Sequence, residues 1–236
     1  MQGRNGGAFG RGRARCVAPA CGRPDGPPCE AGSGRRVVIF DPTCRGGRLR
    51  LGLSHAWRVG TGLYRGLGRI DEAIAADRWD TALRAVADAA DDRPIAELQV
   101  WSHGKWGLVR LGDDVFDRSW LVRSHPHFGL VCAVLERLAP DGRVWFRTCE
   151  TAGAARGQAF VQALADLAGV SVYAHTFVIG VWQSGLRRAR PGGRPDWSPW
   201  EGLCEGTPDD PRRAFGSGPL RPSTVHFLSG EPVPLA

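Results

Sequence analysis

The sequence predicts an α/β fold built on a mostly parallel sheet, and three observations point there. Two short apolar runs, Leu98-Gln99-Val100-Trp101-Ser102 and Val144-Trp145-Phe146-Arg147-Thr148, are rich in Val, Trp and Phe and bounded by polar or glycine residues, as buried strands are. Segments of helical periodicity separate such runs. Strands alternating with helices of about 10–15 residues make βαβ units with right-handed crossovers. The 236 residues, 42% hydrophobic and 23% charged, suffice for one good-sized globular core.

Taken in order, residues 1–34 read as a disordered Arg/Gly/Pro-rich tail, with nine glycines, four prolines and few large apolar side chains. Arg36-Val37-Val38-Ile39-Phe40, stopped by Asp41-Pro42, reads as the first core strand. The Gly-rich segment from Gly46 to Gly68 reads as loops with at most one strand. Ile70, Ile74, Trp79, Leu83, Val86 and Ala89 share one helical face, closed by Asp91-Asp92-Arg93-Pro94. The strand to Ser102 comes next, and Trp106 to Gly112 is a small strand or hairpin arm. Phe128 to Leu138 has an apolar helical stripe, and Pro140-Asp141-Gly142 is a turn feeding the strand that ends at Cys149. Gly157 to Ala168 is a further helix, and Val170 to Ala174 a strand ending at His175-Thr176. From about residue 182 the chain turns irregular, so one domain spans 35–236 with an irregular C-terminal segment.

The net charge of +7 raises nucleic-acid binding, but its distribution argues against it. Seven arginines against Asp25 and Glu30 fall within residues 1–36, which leaves the rest nearly balanced. Lys105 is the only lysine, an arginine bias that a GC-rich coding sequence explains as well as phosphate binding does. No stretch approaches the roughly 18 apolar residues of a membrane span. Residues 1–34 hold no apolar core of a secretory signal, so the expected location is cytoplasmic. Seven cysteines without a Cys-x-x-Cys pair suggest neither a disulfide framework nor a zinc site, and reduced thiols are expected. His125-Pro126-His127 lacks a third ligand, and Ser102 lacks a Gly-x-Ser-x-Gly setting. No metal or cofactor is expected.

The two apolar runs stop at His103-Gly104 and at Cys149-Glu150. As parallel neighbours they would bring an imidazole and a thiol together at the carboxyl edge of the sheet, where open α/β sheets place their ligand crevice. A free thiol has a pKa of about 8.5, so a nearby imidazole is needed to take its proton and later return it to a leaving group. The N–H groups of Gly104 and Cys149 are candidate oxyanion donors. His175 ends a neighbouring strand, where it either lines the cleft or is a plain sheet-edge histidine. Gln183 either walls a substrate groove or packs an ordinary loop.

A hydrophobic strand ending in His-Gly, followed tens of residues later by one ending in Cys, resembles the signature of the caspase-like clan of cysteine peptidases. That clan includes caspases, gingipains, separase and the self-cleaving domains of large bacterial toxins. The run from Leu98 to Gly185 is most similar to a bacterial domain family of unknown function assigned to that clan. Ser102-His103-Gly104, the hairpin from Gly107 to Gly112, Thr148-Cys149-Glu150, Gly157-Gln158 and Val170 to Gly180 carry the similarity. The resemblance implies a three-layer α/β/α sandwich, a His103–Cys149 dyad, and a protein or peptide substrate. It also puts Asp41 near the pocket for the residue before the scissile bond, where it would read a basic side chain; Asp41 is otherwise the turn residue before Pro42. Two departures stand out: caspases carry an arginine where this chain has Asp41, and the common Asp-x-Cys strand ending is here Arg147-Thr148-Cys149. The expected function is a caspase-like cysteine endopeptidase that answers to an unidentified activator. The arginine-rich tail and the Arg187 to Arg194 loop are natural cleavage sites for a self-processing enzyme. The alternative is a catalytically silent interaction module on the same scaffold.

Overall fold

A computed structural model describes residues 34–44, 52–229 and 232, so the expected tail lies, Gly34 apart, outside the described residues. The elements run β1 (Arg35–Phe40), α1 (Leu53–Gly66), β2 (Glu72–Ala75), α2 (Trp79–Ala87), β3 (Ile95–Trp101), β4 (His103–Lys105), β5 (Leu108–Leu111) and β6 (Asp114–Asp117). After a 3-10 turn at Arg118–Leu121 come α3 (Phe128–Leu135), β7 (Leu138–Arg147), α4 (Ala154–Ala168), β8 (Ser171–His175), β9 (Trp182–Gln183) and β10 (Leu186–Ala189). Two short strands, β11 (Leu203–Gly206) and β12 (Pro211–Ala214), precede β13 (Val225–His226).

Six strands form the central sheet in the order β10-β8-β7-β3-β1-β2, parallel throughout except for β10 on β8. The expected mixed α/β fold with a mostly parallel sheet is therefore present. Side chains alternate across its two faces, as the two-residue period of a strand requires. Val37, Ile39, Leu98, Val100, Val144, Phe146, Val172 and Ala174 form one cluster with the inner faces of α2, α3 and α4. On the opposite face Val38, Phe40 and Trp101 pack on Tyr64 of α1, with Trp57 and Phe227 beside them. Glu97 and Gln99 are also buried on β3, and they are satisfied. Arg143 pairs with Glu97, Gln99 donates to Glu97, and Trp101 Nε1 donates to Gln99 Oε1 at 2.7 Å.

Several expectations are corrected. The helix expected from Ile70 onward is an edge strand followed by a helix, because Ile74 pairs with Ile39 across β2 and β1. The Asp114 carboxylate then accepts from Trp79 N at 2.8 Å, so α2 begins only at that residue. The Gly-rich stretch expected as loop contains the 14-residue helix α1. Leu138 leaves the helix expected over Phe128 to Leu138 and begins β7. The expected Pro140-Asp141-Gly142 turn lies within β7, as a register jump from Ile95↔Leu138 to Glu97↔Arg143. The C-terminal segment is less irregular than expected, since β10 forms one edge of the main sheet. Among the described residues no helix is long and apolar enough to cross a membrane.

Candidate active site at the carboxyl edge of the sheet

The register of β3 against β7 builds the site. Trp101 pairs with Arg147 at the last rung, and His103 and Cys149 each lie two residues beyond it. The chain then folds β4 antiparallel onto β5 and β6, while the turn after Cys149 leads to α4. Gly104 keeps the two exits together. A Cβ at this position would come within 2.7 Å of Cys149 O and 2.8 Å of Thr148 Cβ, and would also strike Thr151. No larger residue fits without parting the strands. Glu150 holds φ at 56°, a left-handed conformation that costs a non-glycine residue roughly 1–2 kcal/mol. Strain of that kind, immediately after the thiol, reverses the chain there.

His103 and Cys149 face one cavity of about 330 Å³, with Trp57, Trp101, Arg147, Ile179, Val181, Gln183 and Phe227 among its walls. The Cys149 thiol accepts from Ile179 N at 3.4 Å. Burial pushes its pKa up, the Ile179 N–H acts the other way, and the Glu150 carboxylate adds to the rise. The resting thiol is therefore protonated at neutral pH. Glu150 is also raised by burial, with Lys105 opposing, and its Oε2 is buried without a hydrogen-bond partner. His103 is engaged elsewhere: its Nε2 lies 3.3 Å from Cys44 Sγ, and its ring meets Trp57 edge-on at 5.6 Å. Sequence reasoning missed this second thiol, because the contact spans 59 positions and Cys44 belongs to no motif.

Arg147 was also missed as a site residue. It is 3% exposed and lines the cavity. Its Nε donates to Gln183 Oε1 at 3.0 Å, Nη1 to Tyr64 OH at 2.6 Å and Nη2 to Phe227 O at 2.7 Å. Burial lowers its pKa, against the pull of Tyr64 and Glu97. The signal was present as an arginine inside an apolar strand, two residues before the cysteine.

Gln183 lines the cavity where a substrate groove was expected. Asp41 does not. It is buried, with Oδ1 accepting from Thr43 N and Oγ1 at 2.7 Å and Oδ2 from Gly112 N at 3.1 Å, so it caps a turn and ties it to the β5–β6 hairpin. His175 is corrected as well. It is fully buried, with Nδ1 3.1 Å from Ser184 O and Nε2 accepting from Trp145 Nε1 at 3.3 Å. Burial lowers its pKa to about 3, the Ser184 carbonyl opposes this, and Arg147 adds to the fall. His127 stacks on the Trp120 ring at 5.0 Å and His125 packs tilted against it at 4.6 Å. Cys44, Cys149 and Cys204 are free thiols, whereas Cys132 is disulfide-bonded, a departure from the expectation of reduced thiols throughout. Among the described residues no three His, Cys, Asp or Glu side chains cluster as metal ligands.

No curated protein matches the chain. A family model described as a domain of unknown function, DUF4347, matches residues 61–186, a span that contains His103, Arg147, Cys149 and Gln183. That span is more than half of the sequence, and the chain belongs to the DUF4347 family.

Proposed function

We propose that this protein is a caspase-like cysteine endopeptidase in which Cys149 attacks a peptide carbonyl and His103 moves the proton. One observation carries the reading: adjacent parallel strands deliver an imidazole and a thiol to a single cavity, held together by a glycine that admits no side chain. In the resting state the thiol keeps its proton and His103 rests on Cys44, so activation waits for substrate. Catalytic hydrogen bonds are often made only in the Michaelis complex. His103 then takes the Cys149 proton as sulfur bonds to the carbonyl carbon. The oxyanion is met by the N–H groups of Gly104 and Cys149, each such donor being worth about 3 kcal/mol of barrier. Collapse breaks the C–N bond, His103 protonates the departing amine, and water hydrolyses the thioester.

The same reading takes α1 and the C-terminal segment as the third layer of a three-layer α/β/α sandwich. It assigns a protein or peptide substrate and no role for nucleic acid. A cytoplasmic location suits the free Cys44 and Cys149, while the Cys132 bond favours an oxidising one. Intact mass measured with and without reductant tests whether that bond is present.

A second reading, the silent interaction module, draws on the raised thiol pKa and the Cys44 contact with His103. A peptide-library cleavage assay separates the two. Wild type and Cys44→Ala are expected to cleave, Cys149→Ala to be inactive, and His103→Ala to lose about 10²- to 10⁴-fold. No cleavage by wild type, together with Cys149 alkylation by iodoacetamide that is indifferent to His103→Ala, establishes the silent module instead.

A further inference from the structure

We propose that the cavity is an anion site, and that Arg147 makes it accept a carboxylate side chain on the peptide residue whose carbonyl meets Cys149. The substrate part rests on the peptidase reading; the anion site itself does not.

Arg147 lies in the wall that also holds Cys149, and no Asp or Glu lines that cavity among the described residues. The acid that most affects it, Glu97, is already ion-paired to Arg143. The three contacts of the guanidinium are to neutral acceptors, Gln183 Oε1, Tyr64 OH and Phe227 O. A guanidinium has five N–H donors, so one on Nη1 and one on Nη2 are left over. The Trp145, Phe227, Trp101 and Tyr64 rings, 4.4, 4.9, 5.4 and 5.5 Å from Cζ, stabilise the charge without neutralising it. A buried cation without an anion is costly. The packing offsets part of that cost and supplies no negative charge, so a ligand of opposite sign in the cavity would complete the site. Asp41, the residue expected to select a basic side chain, is held by Thr43 and Gly112 outside the cavity.

The test compares iodoacetate with iodoacetamide. Both form the same S–C bond with loss of iodide and differ only in carrying a carboxylate or an amide. The ratio of their rates at one thiol cancels that thiol's degree of ionisation. Cys204, exposed and free, is the internal reference in site-resolved mass spectrometry. The iodoacetate-to-iodoacetamide ratio at Cys149 is expected to exceed that at Cys204 by about tenfold, the factor that about 1.4 kcal/mol gives. Arg147→Met is expected to remove the excess. Should that variant fail to fold, Gln183→Glu sets a carboxylate against Nε and is expected to do the same. Equal ratios at the two thiols, or an excess that survives Gln183→Glu, overturn the anion site.

In a second arm, acetylated tetrapeptide aldehydes ending in Asp, Asn or Lys, and succinate alone, compete with iodoacetamide at Cys149. Protection by the Asp aldehyde at the lowest concentration is expected. Equal protection by the Asn or Lys aldehyde overturns the selectivity, and succinate acting as well as the Asp aldehyde assigns the site to a free diacid. If no aldehyde protects and no peptide is cleaved while the alkylation excess persists, the peptidase reading and its substrate fall and the anion site stands.

Discussion

Gly104 sets the spacing of the two reactive side chains from a position that carries no chemistry of its own. Replacing it with alanine drives a methyl group into Cys149 O and Thr148. Overpacking of this kind typically costs about 1–3 kcal/mol. Gly104→Ala is expected to melt earlier by that amount in a thermal denaturation, and to lose cleavage where the fold survives. Glu150 gives a second measurement of the same turn. Burial raises its folded pKa above the ordinary glutamate value, so the neutral acid is favoured in the fold. The stability it contributes is complete below the ordinary pKa and is lost as pH rises through the folded one. Glu150→Gln is therefore expected to be more stable than wild type at neutral pH, by less than about 1 kcal/mol at this half-buried position. The two proteins are expected to converge in acid, which urea titrations at several pH values would show.

Helix α1 tests the packing of a whole element, because it carries glycines in opposite surroundings. A Cβ on Gly60 would meet Phe227 and Trp101 at 2.8 and 2.9 Å, whereas one on Gly62 meets nothing within 4 Å. Alanine gains up to about 1 kcal/mol over glycine inside a helix, so Gly62→Ala is expected to stabilise the protein by roughly that amount. Gly60→Ala gains the same propensity and loses more to the clash, so it is expected to destabilise by about 1 kcal/mol. Calorimetry on the pair returns opposite signs if α1 packs as described. The same glycines explain why this helix was illegible in the sequence. Local propensity argued for loop, and only the rings of Trp101 and Phe227 require small residues there. The strands were legible for the converse reason. The carboxyl halves of β3 and β7 are buried on both faces, so Leu98, Val100 and Trp101 and the run Val144-Trp145-Phe146 stand out as apolar and strand-like. β2, at the sheet edge, has no such run, and Ile70 and Ile74 matched a helical spacing by coincidence.

Across the whole molecule, residues far apart in sequence close the structure from the α1 side of the sheet. Tyr64, Arg147 and Phe227 are joined by hydrogen bonds, and His175 links Trp145 to the Ser184 carbonyl. His175 makes this closure sensitive to acid. Its folded pKa of about 3 lies below the ordinary 6.5, so the unfolded chain takes up the proton first. The stability is complete above the ordinary value and is lost as pH falls toward the folded one. The loss is expected to approach about 1.4 kcal/mol per pH unit across that window. In His175→Asn the slope is expected to be lower by that much, as read from denaturation midpoints at stepped pH. The site was legible to a similar depth as the fold. His103, Gly104, Cys149 and Gln183 sit at strand ends or turns whose position follows from local pattern. Asp41 and His175 sit at strand ends too, but long-range partners such as Gly112 N, 71 positions from Asp41, turn them inward. Nothing local signals such a partner.

The family match ends short of part of the cavity. His103, Arg147, Cys149 and Gln183 fall inside residues 61–186, whereas Leu53, Ala56, Trp57 and Phe227 fall outside. Part of the apolar lining thus comes from outside the matched span, while Trp101, Ile179 and Val181 line the cavity from within it. Relatives that share His103, Arg147 and Cys149 but differ around Leu53 to Trp57 and Phe227 would keep the same reacting pair behind a different entrance, so a shared pair is no guarantee of a shared diet.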